Sequence, residues 1–196
     1  MVMMANETKR ERQLRIFNSE FMPEIDALYN FAYHLTYSDS DANDLVQETY
    51  LKAFRFIDSY KAGTNAKAWL FRILKNLFIN DYRKRSKRPN QVELDEVANY
   101  GNEENAKYTV YTDLNEELYN AMMGDEVTIA LDKLPVDFKE VILLCDIEGF
   151  KYEEISEIIE IPIGTVRSRL HRARNMLKIQ LKTYAASLGF QDKRSK

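Results

Sequence analysis

One cysteine, Cys145, stands in a chain of 196 residues. A lone thiol closes no intrachain disulfide, which suits a chain folded in the reducing cytoplasm. It lies in the run Val141-Ile142-Leu143-Leu144-Cys145, where a small buried hydrophobe is expected. The two histidines, His34 and His171, are distant in sequence, so no His/Cys spacing suggests zinc. No apolar run reaches the length of a membrane span. Met1 to Gln13 lacks the apolar core of a secretory signal. A phosphate-cradling Gly-rich loop and a nucleophile–base constellation are also missing. These absences argue against a disulfide scaffold, a metalloenzyme and a nucleotide hydrolase. The expectation is a protein that binds rather than catalyses, with no cofactor.

What is present points to helices. Only 6 glycines and 4 prolines interrupt the chain, and apolar residues recur at spacings of three and four. Phe21, Ile25, Leu28, Ala32 and Leu35 form one stripe, which predicts a helix over about Phe21 to Tyr37. Ser40 is expected to cap a second helix with Ala42, Leu45, Val46, Thr49 and Ala53 inward. A loop around Gly63 precedes a third helix, capped by Thr64 or Asn65, with Ala66, Trp69, Leu70, Ile73 and Leu77 inward and Pro89 as its stop. Periodicity fades from Pro89 to Gly124. Beyond it, Ile129, Ala130 and Leu134 suggest a short helix. Pro135 fits the first position of the next helix, and Gly149 fits its end. Tyr152 to Ile159 is a further helix, Glu160-Ile161-Pro162 a break, and Val166, Leu170, Ala173 and Leu177 mark the inner face of the last. The fold class is all-α: two small helical domains joined by an acidic, flexible linker.

The formal charge of -3 conceals strong local patterning. Between Lys61 and Arg88 the bases are Lys61, Lys67, Arg72, Lys75, Arg83, Lys84, Arg85, Lys87 and Arg88, opposed by Asp81 alone. Ile163 to Lys182 carries Arg167, Arg169, Arg172, Arg174, Lys178 and Lys182 and no acid. The intervening stretch is acidic, from Glu93 to Asp125. Two basic blocks across an acidic connector suggest two polyanion-binding surfaces and a tether.

Tyr152 to Lys178 reads as a helix-turn-helix with a basic second helix. Burying Val166, Leu170 and Ala173 turns Ser168, Arg172 and Asn175 outward, with His171, Arg167 and Arg169 beside them. Such a face suits a major groove, where Arg reads guanine edges and the other groups hold phosphates. The Thr165 hydroxyl and the first-turn amides could meet a phosphate. The third helix and its loop interleave bases and aromatics, as single-stranded nucleic acid requires. There Trp69 belongs to the core, and Asn76, Asn80 and Arg83 share a polar face for DNA. The acidic face of the second helix, on its own, is a solvated surface.

Three segments carry a family resemblance. Asp41-Ala42-Asn43-Asp44-Leu45-Val46-Gln47-Glu48-Thr49 resembles the region 2 signature of extracytoplasmic-function sigma factors of the sigma-70 family. Ala66-Lys67-Ala68-Trp69-Leu70-Phe71-Arg72-Ile73-Leu74 resembles the family's promoter-melting and -10 recognition helix. Ile161 to Arg174 is similar to its region 4 recognition helix. The resemblance implies an N-terminal extension (1–18), region 2 (19–89), an acidic linker (90–124), region 4 (125–190) and a tail (191–196). It implies that Asp44, Gln47 and Glu48 dock on the clamp coiled coil of the largest subunit of core RNA polymerase, with region 4 at the flap. Tyr60, Lys61, Asn65, Lys67, Asn76, Asn80, Arg83 and Lys84 would engage -10 DNA. Thr165, Arg167, Ser168, Arg169, His171 and Arg172 would engage -35 DNA. The connector would thread toward the active-site channel. The run Gly63 to Leu74 further resembles the branch responding to thiol oxidation, whose members are held by a zinc-containing anti-sigma protein; an anti-sigma partner of that kind is implied here. The rival readings are a stand-alone helix-turn-helix regulator with an N-terminal sensing domain, a nuclease with clustered carboxylates, and a protein that only sequesters polymerase.

Overall fold

In a computed structural model the described residues are 7–87 and 125–189, and every regular element among them is helical. The acidic connector and Pro89 lie outside them. The first element is one the sequence pattern did not suggest. Helix α1, Lys9–Ile16, opens with a reciprocal cap. The Thr8 hydroxyl accepts from the Glu11 amide at 3.2 Å, and Glu11 accepts from the Thr8 amide at 2.8 Å. Its polar faces hide the signal: only Ile16 is buried. A wide helical turn, Phe17–Phe21, and a short tight one, Met22–Glu24, carry the chain into α2, Ile25–Thr36. The expected stripe is largely buried there, although Ile25 is 39% exposed.

Tyr37 takes a left-handed conformation, φ 53°, which ends α2 early and leaves Ser38 extended. Ser38, not the expected Ser40, therefore caps α3 (Asp39–Arg55), its hydroxyl accepting from the Asp41 amide at 3.2 Å. Asp39 and Asp41 then sit in the first turn, where the helix dipole favours negative charge. A loop leads to α4, Ala66–Lys87. The Asn65 side chain accepts from the Ala68 amide at 2.9 Å, which selects Asn65 over Thr64 as the cap. Helices α2, α3 and α4 close the first core around Leu28, Phe31, Leu70, Phe71 and Leu74.

The second half begins with α5, Asp125–Asp132. Ala130, Leu131 and Leu134 point inward, and Ile129 is 50% exposed. Pro135 stands one residue before the expected position, capping α6 (Val136–Ile142). A wide turn over Leu143–Ile147 follows, ended by Gly149 at φ 76°. Then come α7, Tyr152–Ile159, a left-handed Glu160, and α8, Ile163–Gln180, with a short α9, Lys182–Ser187. Val166, Leu170 and Ala173 of α8 are buried, as their spacing requires.

The two halves are in contact. Helix α4 lies against α7, and the Phe71 and Phe150 rings meet edge to face at 5.2 Å. Trp69, the sole tryptophan, reports the first half, since it stacks on Phe21 at 5.3 Å. Leu28 is fully buried there, so Leu28→Ala should cost about 2–5 kcal/mol through lost transfer energy and a cavity. Urea unfolding followed by Trp69 fluorescence measures it; an unchanged midpoint would contradict the placement of Leu28.

Candidate nucleic-acid interface

Helix α8 is amphipathic in a way that fixes one outward face. With Val166, Leu170 and Ala173 against α6 and α7, the side chains of Arg167, Ser168, His171, Arg172 and Asn175 are exposed. No carboxylate interrupts α8. The Asn175 amide nitrogen lies 3.4 Å from the His171 ring nitrogens. Two expected contributors are engaged within the protein. Arg169 is partly covered and pairs with Asp137 of α6 at 2.9 Å, bracing the recognition helix. The amides of Thr165 and Val166 already donate to the Pro162 carbonyl, so those first-turn amides are spent on the turn rather than offered to a phosphate. The Thr165 side chain itself is partly exposed.

The expected -10 set divides. Lys61 is exposed in the loop, and Asn80 and Arg83 are exposed on α4, with Asn76 partly covered. Lys84 follows in the same helix. Tyr60, by contrast, is buried: its ring packs on Phe21 and Trp69 at 5.1 and 5.2 Å. An apolar ring beside two others is held inside by burial, so only its hydroxyl edge faces the loop. Asn65 and Lys67 are turned toward the second half. The Asn65 amide donates to Glu154 at 2.7 Å. The Lys67 ammonium pairs with Glu148 at 2.8 Å, donates to the Glu148 carbonyl at 3.1 Å and lies 5.3 Å from the Phe150 ring. Arg72 pairs with Glu160 at 2.8 Å, and Lys75 donates to the Ile159 carbonyl at 3.2 Å. Spacing on α4 shows these cations share a side; it could not show what would cover them.

The expected docking residues Asp44, Gln47 and Glu48 are exposed on α3. Asp44 and Glu48 line a cleft of about 550 Å³ together with Asp41, Lys52, Asn80 and Tyr82. One groove thus brings Asn80, expected at DNA, beside the acids expected at polymerase.

This arrangement can be set beside known proteins. The family model of Sigma-70 region 2 matches residues 21–88, and that of Sigma-70, region 4 matches residues 125–177. The chain is 38% identical over 162 residues to ECF RNA polymerase sigma factor EcfG of Rhodopseudomonas palustris, covering 83% of each protein. It is 35% identical over 161 residues to ECF RNA polymerase sigma factor SigE of Mycolicibacterium smegmatis, covering 82% of this chain and 60% of that one. Among solved structures it is similar to the sigma factor RpoE of Bartonella quintana, determined in complex with the anti-sigma factor NepR. That match has a TM-score of 0.65 and 34% identity, covering 86% of this chain and 98% of the other. The chain belongs to the ECF sigma factors of the sigma-70 family. As an RNA polymerase sigma factor it serves promoter-specific initiation of transcription, and the reading as a stand-alone regulator is not favoured. No helix among the described residues is long and apolar enough to cross a membrane.

Ionisable groups cluster where the halves of this sigma factor meet. From the first half come His34, Tyr37, Lys67 and Lys75; from the second, Asp132, Lys139, Glu140 and Glu148. Lys139 lies 4.0 Å over the Tyr37 ring, and burial pushes its ammonium down to about 8. Burial raises the Glu148 carboxyl, opposed by Lys67, and pushes Glu140 up to about 7 despite Lys75. Burial also lowers His34.

The signs oppose one another. A carboxyl raised from 4.5 to about 7 contributes stability that is fully present below 4.5 and lost as pH rises through about 7. A lysine lowered from 10.5 to about 8 contributes stability present above 10.5 and lost as pH falls through about 8. The lowered His34 acts in the same sense as Lys139. Comparison with Glu140→Gln isolates the carboxyl. The variant should be more stable than wild type at about pH 8, and the gap should shrink toward about pH 5. Parallel urea titrations read it out; a gap independent of pH would contradict the buried, charge-starved Glu140.

Proposed function

We propose that this sigma factor acts by binding alone, in the cytoplasm and without catalysis, through three surfaces. Asp44, Gln47 and Glu48 dock on the clamp coiled coil of core polymerase. Lys61, Asn65, Lys67, Asn76, Asn80, Arg83 and Lys84, around the loop from Asp58 to Asn65, hold the unpaired -10 strand. The exposed face of α8, namely Thr165, Arg167, Ser168, His171 and Arg172, reads the -35 duplex, with Arg169 as its brace. The observation that carries this reading is that carboxylate-free, arginine-bearing face, presented by a helix whose other side is locked in a core. Melting then follows from tighter binding of the open strand, with no nucleotide hydrolysis required.

The second half and DNA compete for the same groups. Glu154 holds Asn65 and Glu148 holds Lys67, so a -10 strand on those side chains needs α7 to leave α4. The described arrangement is the silent form. The share of each contact in holding it differs. The Arg72–Glu160 pair is about half exposed on both sides and is worth at most about 1 kcal/mol. Lys67 and Glu148 are 29% and 7% exposed. Removing one of two such covered charges costs several kcal/mol, of the order of 3–5 for a fully buried pair. An anti-sigma factor belongs to the same proposal, since the sigma factor RpoE was solved bound to one. Zinc in the co-purified partner would identify the thiol-oxidation branch suggested by Gly63 to Leu74.

Run-off transcription with core polymerase on a promoter library tests the function. Transcripts should require this protein. Arg172→Ala should weaken -35 discrimination by about tenfold, within the ~1–3 kcal/mol of one base contact. Asp44→Arg with Glu48→Arg should abolish core binding. Unchanged -35 preference or normal core binding overturns the respective assignment.

A further inference from the structure

The segment before the family signatures makes a specific contact with the loop proposed to read the -10 strand. Glu20 lies in the wide turn Phe17–Phe21. One of its carboxylate oxygens, Oε2, accepts from the Tyr60 hydroxyl at 2.7 Å and from the Gly63 amide at 2.9 Å. The phenol is nearer this oxygen than the Thr64 carbonyl, 3.1 Å away. Both donors belong to the loop, and 40 or more residues separate them from Glu20 in sequence.

The contact rests on a rigid support. Phe21, next to Glu20, is fully buried against Tyr60 and Trp69, and its carbonyl accepts from the Tyr50 hydroxyl at 2.9 Å. Gly63 has φ 77°, a conformation that leaves its amide aimed at the carboxylate. The loop's first residue is held separately: Lys9 pairs with Asp58 at 2.7 Å and Gln13 donates to Asp58 at 3.0 Å. Lys61, between these tethers, and Thr64 and Asn65, just beyond them, remain exposed, with the Asn65 amide turned to Glu154. A loop that discriminates bases must hold its contacting groups in register before the base arrives, because a loop free to shift can adapt to the wrong base and so loses the difference in affinity between the two. A carboxylate also repels nucleic acid, so its presence here is better explained by what it holds than by what it touches. Hydrogen bonds to an ionised acceptor are the stronger kind, and both of these lower the Glu20 carboxyl from its ordinary value, the Tyr60 hydroxyl most.

We propose that Glu20 is a positioning residue for -10 recognition: through Tyr60 and Gly63 it holds the Asp58–Asn65 loop in the conformation that presents Lys61, Thr64 and Asn65 to an unpaired base. This rests on the loop's assignment to the -10 strand, and the test separates the two. The full-length protein with core polymerase is assayed on promoters carrying each of the four bases at each -10 position. Glu20→Ala should flatten the -10 base preference by about tenfold, equivalent to ~1.4 kcal/mol. Core affinity and -35 preference should be unchanged. Glu20→Gln keeps an oxygen able to accept from both donors and should restore the preference. Tyr60→Phe, which keeps the ring in the core, should fall between. A merely structural role would lower output on every promoter equally and would leave the preference intact; that result overturns the proposal. Alanine at Lys61, Thr64 and Asn65 together tests the loop itself. If that variant keeps the -10 preference, the loop assignment fails. If it loses the preference while Glu20→Ala keeps it, the Glu20 proposal fails alone.

Discussion

The cationic side of α4 is met by carboxylates of the second half, and the behaviour proposed for this sigma factor follows from that. Asn65, Lys67 and Arg72 are each met by one carboxylate of the second half, Glu154, Glu148 and Glu160. On the proposed reading, the three acids take the place that phosphates of a bound strand would fill. Lys67 is partly desolvated beside Phe71 and Phe150, and Glu148 neutralises it there. The proposed exchange is isocoulombic: one set of anions leaves and another takes its place. An exchange of that kind needs only a modest bias, and tethering to polymerase is a plain source of it, since a ligand shifts an equilibrium by its differential affinity.

The two ends of the molecule share a construction. A helix is pinned by a buried stripe on one side, so the opposite side is presented without freedom to rotate. In α8 the stripe is Val166, Leu170 and Ala173; in α4 it is Leu70, Leu74 and Leu77. Arg169 on Asp137 and Arg174 on Asp146, the latter at 2.6 Å, add braces at the edges of the recognition helix. Neighbouring arginines of similar appearance in sequence therefore divide into those that hold the helix and those that face outward.

Much of this was legible in the sequence. Periodicity located α2, α3, α4, α7 and α8, because each buries one stripe along its length. The Ser38 cap was missed because Tyr37 enters a left-handed conformation that its residue type does not advertise. Helix α1 was missed because it buries little besides Ile16 and depends on its Thr8 cap and on Asp58. Arg169 and Tyr60 were read as DNA contacts; their partners within the protein, Asp137 and Glu20, are 32 and 40 residues away, beyond any local pattern. The pairing of α4 with α7 is of the same kind, since the residues it joins are more than 80 positions apart.

The competition at α4 is tested most directly by the affinity of the free protein for a -10 single strand, read by fluorescence anisotropy. Glu148→Gln with Glu160→Gln removes two of the competing charges and adds none. This variant should bind the strand several-fold more tightly than wild type, with affinity for a -35 duplex unchanged. Equal affinity of the two proteins for the -10 strand would contradict the account.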